Sequence, residues 1–230
     1  MSLTPLMPDL DLLALVYFLG VIAVYRMILH RTGLGDRSLV GAVQRQRVAW
    51  MTNMAQRENR MLDAVLLGSL SQGNAFFAST AAIAVGGLAT TVGSGEKVQA
   101  MLERLPYVAP STSLMWEMKL LLIMGLFIYA FFKFAWGFRL SHYTAIMIGS
   151  TPLPTAEAAV IEAHAVRTAR LIGIAAEHTN SGLRSFYHAI AAIAWFFHPV
   201  LFIATTTWVM LILVRRDFFS RSRRIIGDIS

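Results

Sequence analysis

Basic and imidazole side chains inside apolar segments are the first candidates for catalytic residues. His188 and His198 lie ten residues apart in one apolar segment, and Lys133 lies within another, FIYAFFKFAWGFR. Such groups can act as acid, base or nucleophile toward a lipid. However, no acid–base pair stands at a defined spacing around them. A lipid-modifying enzyme that uses these three residues is therefore the weakest functional hypothesis, and the chain is predicted not to be an enzyme.

The six histidines form no metal-binding pattern. No two of them have the four-residue spacing of a helical metal site, and the HExxH motif does not occur. The chain has no cysteine, so thiolate ligands and disulfides are excluded. Phosphate-binding glycine loops are also missing. We therefore expect neither a metal nor another cofactor.

Lys133 lies inside the third apolar segment, near its end. A lysine inside the membrane is a candidate for function. Tyr129 lies four residues before it and Trp136 three residues after it, so the ammonium group could lie over either ring. Because Lys133 is close to the end of its segment, its side chain could instead extend to the lipid headgroups, which is the favoured interpretation.

Small residues form a stripe on one face of the second apolar segment. At intervals of four and three residues, the stripe consists of Gly68, Gln72, Ala75, Ser79, Ala82 and Gly86, all of them small except Gln72. In lipid, small residues let two helices approach closely, and a seven-residue repeat favours a left-handed crossing. Packing within one subunit is the favoured interpretation. The alternative places this face at the axis of a homo-oligomer, with Gln72 and Ser79 facing a pore.

Asn74 lies in the same segment as the stripe, two residues from Gln72, and therefore points elsewhere. Its amide needs a hydrogen-bond partner away from water. A structural bond to another helix is the favoured prediction, and a role in permeation or ligand binding is the alternative.

Four apolar segments of membrane-spanning length carry these residues. Hydrophobic residues make up 56% of the 230 and charged residues 14%, against roughly 25% charged residues in soluble domains. One soluble core cannot bury so many long apolar segments, whereas a bilayer can accommodate them. The predicted spans are 10–29, 65–92, 114–138 and 186–214. Pro199 lies inside the fourth span and predicts a kink there.

Two connecting segments, 38–62 and 155–178, show helical amphipathic periodicity and predict helices at the membrane interface. Asn180 to Gly182 are expected to end the second of these helices. The sequence thus predicts an all-α integral membrane protein. Four transmembrane helices form an antiparallel bundle, two amphipathic helices accompany them, and residues 1–230 form one membrane domain.

The net charge of +7 comes from arginines that flank the apolar segments. This placement indicates anionic lipid headgroups as partners, not nucleic acid. The headgroup candidates are Arg45, Arg47, Arg57, Arg60, Arg215 and Arg216. We expect a bacterial inner (cytoplasmic) membrane as the location.

The orientation predicted from the basic loops conflicts with the C-terminus. The positive-inside rule places both basic loops in the cytoplasm and the N-terminus outside. Four spans would then return the basic tail, RRDFFSRSRR, to the outside.

The order of the spans also predicts which charges can meet. Asp9, Asp11, Glu117 and Lys119 gather at one membrane face; at the other are Arg26, Asp63, Lys133, Arg139, Arg184 and His188. The second group has more cations than acids, which favours binding of lipid phosphate. If the group lines a cavity, it could instead form a pathway for anions.

Several segments between Arg57 and Ser220 carry a family resemblance. They are RENRMLDAVLLGSL, FFAST, FFKFAWGFRLSHY, GLRSFYHAIAAIAWFFHPVLF and WVMLILVRRDFFS. Together they resemble the bacterial and plant membrane proteins catalogued as "domain of unknown function 599". The resemblance implies a multi-pass membrane protein with about four spans. It implies no activity and no site residues.

Two further functional hypotheses remain beside the enzyme. The first is a homo-oligomeric channel or transporter-like protein, which the stripe on the second span favours. The second is a non-catalytic accessory or scaffold subunit of a larger membrane complex. The expected partners are membrane lipids under either hypothesis. The first hypothesis adds a second copy of the chain, and the second adds the other subunits of a larger membrane complex.

Overall fold

The computed structural model describes residues 9–31, 38–92, 100–101, 108 and 111–227. Throughout these residues the regular structure is helical and no strand occurs, so the all-α prediction is confirmed. The helices are α1 (Asp9–Arg31), α2 (Leu39–Ala55), α3 (Met61–Val92), α4 (Ser113–Gly149), α5 (Ala158–Ile193), α6 (Pro199–Phe219) and α7 (Arg221–Gly227). A short 3₁₀ turn, Ala194–Phe196, joins α5 to α6.

Four of the described helical stretches are long and apolar enough to cross a membrane: Asp9–Leu29, Met61–Thr91, Ser113–Gly149 and Pro199–Gly227. Large apolar side chains cover their outer surfaces. Such a surface is suited to lipid and costly in water. The prediction of four helices of this kind is confirmed. The third is longer than predicted, since it continues beyond residue 138.

The predicted fourth span, 186–214, is in fact parts of two helices. Residues up to Ile193 belong to α5, and Pro199 is the first residue of α6. Proline suits this first position because it has no N–H to donate and its φ already fits a helix. His198 caps α6 by accepting a hydrogen bond from the Val200 N–H through Nδ1, at 3.1 Å. Pro199 therefore starts a helix instead of kinking one.

The predicted interfacial helices also have different boundaries. Asn180 to Gly182 do not end the second one, because α5 continues without a break through this point. Gly182 instead allows close packing on α4, since a Cβ there would lie 2.7 Å from the Phe134 ring. The first interfacial helix ends at Ala55, and Met61 already begins α3.

Contacts at the two ends of the bundle establish how the helices run. At one end, which we call the Trp195 end, Ala14 of α1, Met115 of α4 and Phe202 of α6 pack with Trp195, which follows the last residues of α5. Leu88, near the end of α3, also packs there. Early residues of α1, α4 and α6 thus meet late residues of α3 and α5.

The opposite end, which we call the Met51 end, shows the complementary set. Leu67 of α3, Ile148 of α4 and Ala165 of α5 pack with Met51 of α2. Five helices therefore run through the bundle in alternating directions, and α5 is the fifth because it packs lengthwise on α4.

The added pass of α5 also determines where the C-terminal helix lies. The basic α7 contacts α2, at the Met51 end of the bundle. Five alternating passes bring the chain to the side opposite Asp9, the first described residue, whereas four would not. The conflict between the basic tail and the basic loops therefore disappears.

Candidate functional site

A cavity of about 280 Å³ lies between α1, α4 and α5, toward the Met51 end. It is lined by Phe18, Leu19, Ile22, Tyr25, Arg26, Leu126, Tyr129, Ser181, Arg184, Ser185 and His188. We call it the cationic cavity, because two arginines and no carboxylate occur among these residues. One part of its wall is apolar and the other carries hydroxyl, guanidinium and imidazole groups.

A buried carboxylate behind the cavity holds Arg184 in place. Asp217 is only 1% exposed. It accepts hydrogen bonds from the Tyr25 hydroxyl at 2.6 Å, from Nη2 of Arg184 at 2.9 Å and from Nε of Arg216 at 2.9 Å. These bonds join α1, α5 and α6. A carboxylate this deeply buried requires such charge-assisted partners.

Two buried nitrogen atoms on the cavity lining have no hydrogen-bond partner among the residues that the structure describes. One is Nε of Arg184 and the other is Nδ1 of His188. His188 is 6% exposed, and its ring meets the Phe18 ring edge-on at 6.0 Å between centroids. An unsatisfied buried polar group costs about 1–3 kcal/mol, so a ligand that reaches these atoms would gain that energy.

Tyr129 lies between two cations at the edge of the cavity. The Arg26 guanidinium donates to the Tyr129 hydroxyl and lies 5.1 Å from the ring centroid. The Lys133 ammonium lies 5.3 Å from the same centroid, which is the ring contact that the sequence allows as the alternative to extension toward the headgroups. Trp136 does not share in it; this ring is half exposed and faces His178. Among the described residues, neither Arg26 nor Lys133 has an acidic partner.

The described lining of the cavity carries more positive than negative charge. Arg26 and Arg184 line it and Lys133 lies at its edge beside Tyr129, whereas the carboxylate of Asp217, behind the lining, is shared between Arg184 and Arg216. Guanidinium groups present several N–H donors in a planar fork that matches carboxylate and phosphate oxygens. The arrangement can therefore hold an anion.

Arg184 also lines a second cavity, of about 450 Å³, between α2 and α5 near the end of α1. Gln44, Arg170, Glu177 and Asn180 belong to its wall. Arg184 is common to both linings, so it stands between the cationic cavity and this space at the Met51 end.

Asn74 lies on a third cavity, of about 240 Å³, which shares Asn180 with the second. Its Oδ1 accepts a hydrogen bond from Oγ1 of Thr179 at 2.7 Å, which joins α3 to α5. Such a bond between helices is the structural role that the sequence favours for this residue. Arg47 lines the same cavity, and burial lowers the pKa of its guanidinium.

The small-residue stripe does not pack against the described part of its own subunit, so the favoured interpretation, packing within one subunit, is wrong. All of its members except the half-buried Ala75 are exposed, and a Cβ at Gly68 or Gly86 would meet nothing within 4 Å. The buried positions of α3 include Leu67, Asn74 and Ala81, which follow a different seven-residue repeat. The stripe therefore faces away from the bundle.

The predicted headgroup arginines differ in exposure and in bonding. Arg45, Arg57 and Arg215 are exposed. Arg47 donates to Gln44, Arg57 to Asp63, Arg60 to the carbonyl oxygens of Ala55, Thr151 and Pro152, and Arg216 to Asp217. The hydrogen bonds of Arg60 and Arg216 therefore stabilise the fold.

The predicted charge clusters are partly observed. At the Trp195 end, the Lys119 ammonium lies 3.7 Å from Oδ1 of Asp11, which also accepts from the Trp195 indole at 2.7 Å. Of the second predicted group, Arg26, Arg184 and His188 meet at the cationic cavity. His198 lies apart from it, as the cap of α6.

Sequence reasoning missed Asp217 and Tyr25 as members of the site. Their partner Arg184 falls between the predicted segments 155–178 and 186–214, although Glu177, Asn180, Arg184 and His188 follow one another at helical intervals of three, four and four residues. That spacing was the available signal for one continuous helix with a polar face.

Comparison with known proteins gives one match. The family model described as "Protein of unknown function, DUF599" matches residues 13–222, which is nearly the whole chain. No curated protein and no solved structure matches.

Proposed function

The chain belongs to the DUF599 family of proteins of unknown function, and we propose that it is a transporter-like membrane protein that binds an anion in the cationic cavity. The observation that carries this proposal is the pair of buried, unpartnered nitrogen atoms, Arg184 Nε and His188 Nδ1, in a site with excess positive charge. An anion with oxygen acceptors would balance the charge and could accept a hydrogen bond from Arg184.

The position of Arg184 favours a transporter-like protein over one that only binds. Its side chain lines both the cationic cavity and the larger cavity at the Met51 end. An anion held by Arg184 could therefore be passed from one space to the other without leaving its main ligand. Asp217 limits how tightly the anion binds, because it already neutralises part of the Arg184 charge.

Binding of inorganic phosphate to the purified full chain tests this proposal. We expect Arg184→Gln to weaken binding at least tenfold, because a charge-assisted hydrogen bond is worth about 1.5–3 kcal/mol. Arg215→Gln removes the same charge from an exposed position and should leave binding unchanged. Flux into proteoliposomes should follow the same order. A folded Arg184→Gln protein that binds phosphate as tightly as wild type would refute the proposal. A scaffold without a ligand would bind no phosphate in any form.

Self-association through α3 is a second candidate property, favoured by the exposure of its small-residue stripe. In lipid, such a face permits close helix–helix approach. We expect Gly86→Leu to lower the oligomer mass without lowering the thermal stability of the monomer, because no neighbour lies within 4 Å of a Cβ there. Gly125→Leu, at an equally open glycine of α4, is the matched control. A wild-type protein that is monomeric in a lipid nanodisc would exclude this candidate and, with it, a channel along an oligomer axis.

The bacterial cytoplasmic membrane remains our proposed location. With the Met51 end facing the cytoplasm, the basic α2 and α7 would both lie on the side that the positive-inside rule requires.

A further inference from the structure

We infer that the anion bound in the cationic cavity is the phosphate headgroup of a single lipid-like amphiphile, whose chain leaves sideways between α1 and α4. This inference rests on the proposed function and specifies its ligand. It depends on where the cavity opens, on how its wall is divided, and on where its cations stand.

The cavity opens toward the surrounding lipid. α1 is attached to α6, through the hydroxyls of Tyr17 and Thr207 at 2.7 Å and through the bond from Tyr25 to Asp217. Over their described lengths the backbones of α1 and α4 do not pack closely against each other. Leu19 lines the cavity and is 51% exposed, so the cavity is open where Leu19 lines it.

The cavity wall is divided in the way that an amphiphile requires. Leu19, Ile22 and Leu126 form apolar lining from α1 and α4. Arg184 and His188 come from α5 and carry the unpartnered nitrogen atoms. A small inorganic anion would use only the α5 part, and the apolar lining would remain without a function. A hydrocarbon chain next to the phosphate would cover it.

The cations stand at two depths. The Arg184 side chain is 12% exposed, whereas Arg26 is exposed at the edge, next to Tyr129. A phosphate monoester has three terminal oxygens, so it can accept from both guanidinium groups at once. Its two negative charges also match the two arginines of the lining better than the single charge of a carboxylate does.

Decyl phosphate, decanol and inorganic phosphate are the probes, and the delipidated full chain in a maltoside detergent is the sample. Decyl phosphate and decanol share the chain, and decyl phosphate and inorganic phosphate share the anion. We expect decyl phosphate to bind at least tenfold more tightly than either of the others. Arg184→Gln should weaken the binding of both phosphates.

The apolar lining is tested with a matched pair of leucines on α1. Leu19→Ala should weaken decyl phosphate binding about fivefold, from the lost methylene contacts, and leave inorganic phosphate binding unchanged. Leu13→Ala is the control, because Leu13 is also exposed but does not line the cavity.

Each other outcome overturns a specific statement. Equal affinity for the two phosphates, with no effect of Leu19→Ala, would identify a free anion as the ligand and overturn this inference while the proposed function stands. Equal affinity for decanol and decyl phosphate would show that only the chain is recognised. No binding of either phosphate by the wild type would overturn the proposed function as well.

Discussion

Replacing Asp217 by asparagine should weaken the fold and strengthen anion binding at the same time. The change keeps the size of the side chain and removes its negative charge. The asparagine can still accept a hydrogen bond from Tyr25, but Arg184 loses its buried counter-charge. Arg216 is less affected because 30% of its side chain is exposed and can reach water or headgroups.

The expected loss of stability follows from the burial of the ion pair. Removing one partner of a buried pair costs about 3–5 kcal/mol, chiefly because the other charge stays buried without compensation. Only Arg184 is left in that position, and the asparagine retains one hydrogen bond. We therefore expect about 3 kcal/mol, the low end of this range.

The expected gain in affinity follows from Coulomb's law. An anion on the far side of the Arg184 guanidinium would lie about 6 Å from the Asp217 carboxylate, where an effective dielectric constant of about 20 gives a repulsion of about 3 kcal/mol. Screening through the open side of the cavity reduces this figure. Relief of about 1.4 kcal/mol would tighten binding about tenfold.

Thermal unfolding and phosphate titration of the same preparations measure both effects. Asp63→Asn is the matched control: Asp63 is also fully buried and accepts from Arg57 and Trp50, but it lies outside the cationic cavity. It should lose stability without gaining affinity. If Asp217→Asn lost stability while its affinity stayed at the wild-type value, the anion would not be beside Arg184. If it lost no stability, the buried ion pair would not be holding these helices together.

The remaining predictions concern packing and topology. Gly182→Ala should destabilise the fold by about 1–2 kcal/mol, since overpacking against the Phe134 ring of α4 outweighs the better helix propensity of alanine. Gly86→Ala is the control and should not destabilise the fold, because no atom lies within 4 Å of a Cβ there. Equal melting temperatures of the two variants would contradict the close contact between α4 and α5. Because the chain has no cysteine, single cysteines can report sidedness. Ser150→Cys and Ser222→Cys should react with a membrane-impermeant maleimide from one side of the membrane and Ser113→Cys from the other. Labelling of Ser222→Cys from the side of Ser113→Cys would show four crossings instead of five.

The sequence was sufficient for those features that depend on local spacing or on the order of the spans. Lys133 and Tyr129 are four residues apart on a helix, so their contact was one of the two positions that the sequence allowed for the ammonium group without any tertiary information. The alternation of spans likewise predicted that Asp11 and Lys119 meet at one end. The lengths of the apolar segments predicted four helices able to cross a membrane.

The continuity of α5 was decided by its neighbours. Asn180 and Gly182 are residues that usually end helices, and the segment before them is too polar to resemble a membrane span. Packing against α4 shelters this segment, and Gly182 provides room for the facing ring. Because of this tertiary contact, residues expected to end a helix lie in the middle of α5.

The rotation of each helix about its own axis, which determines the face that it turns to the bundle, was also decided only by the tertiary structure. Two faces of α3 carry seven-residue repeats, and the sequence could not say that Leu67 and Asn74 face inward while Gly68 and Gly86 face outward. Asp217 lies 192 residues from Tyr25 and 33 from Arg184, and these three meet only because α1, α5 and α6 present the right faces. Spacing along a chain determines which residues share a face of one helix, but which faces meet depends on side-chain packing between helices.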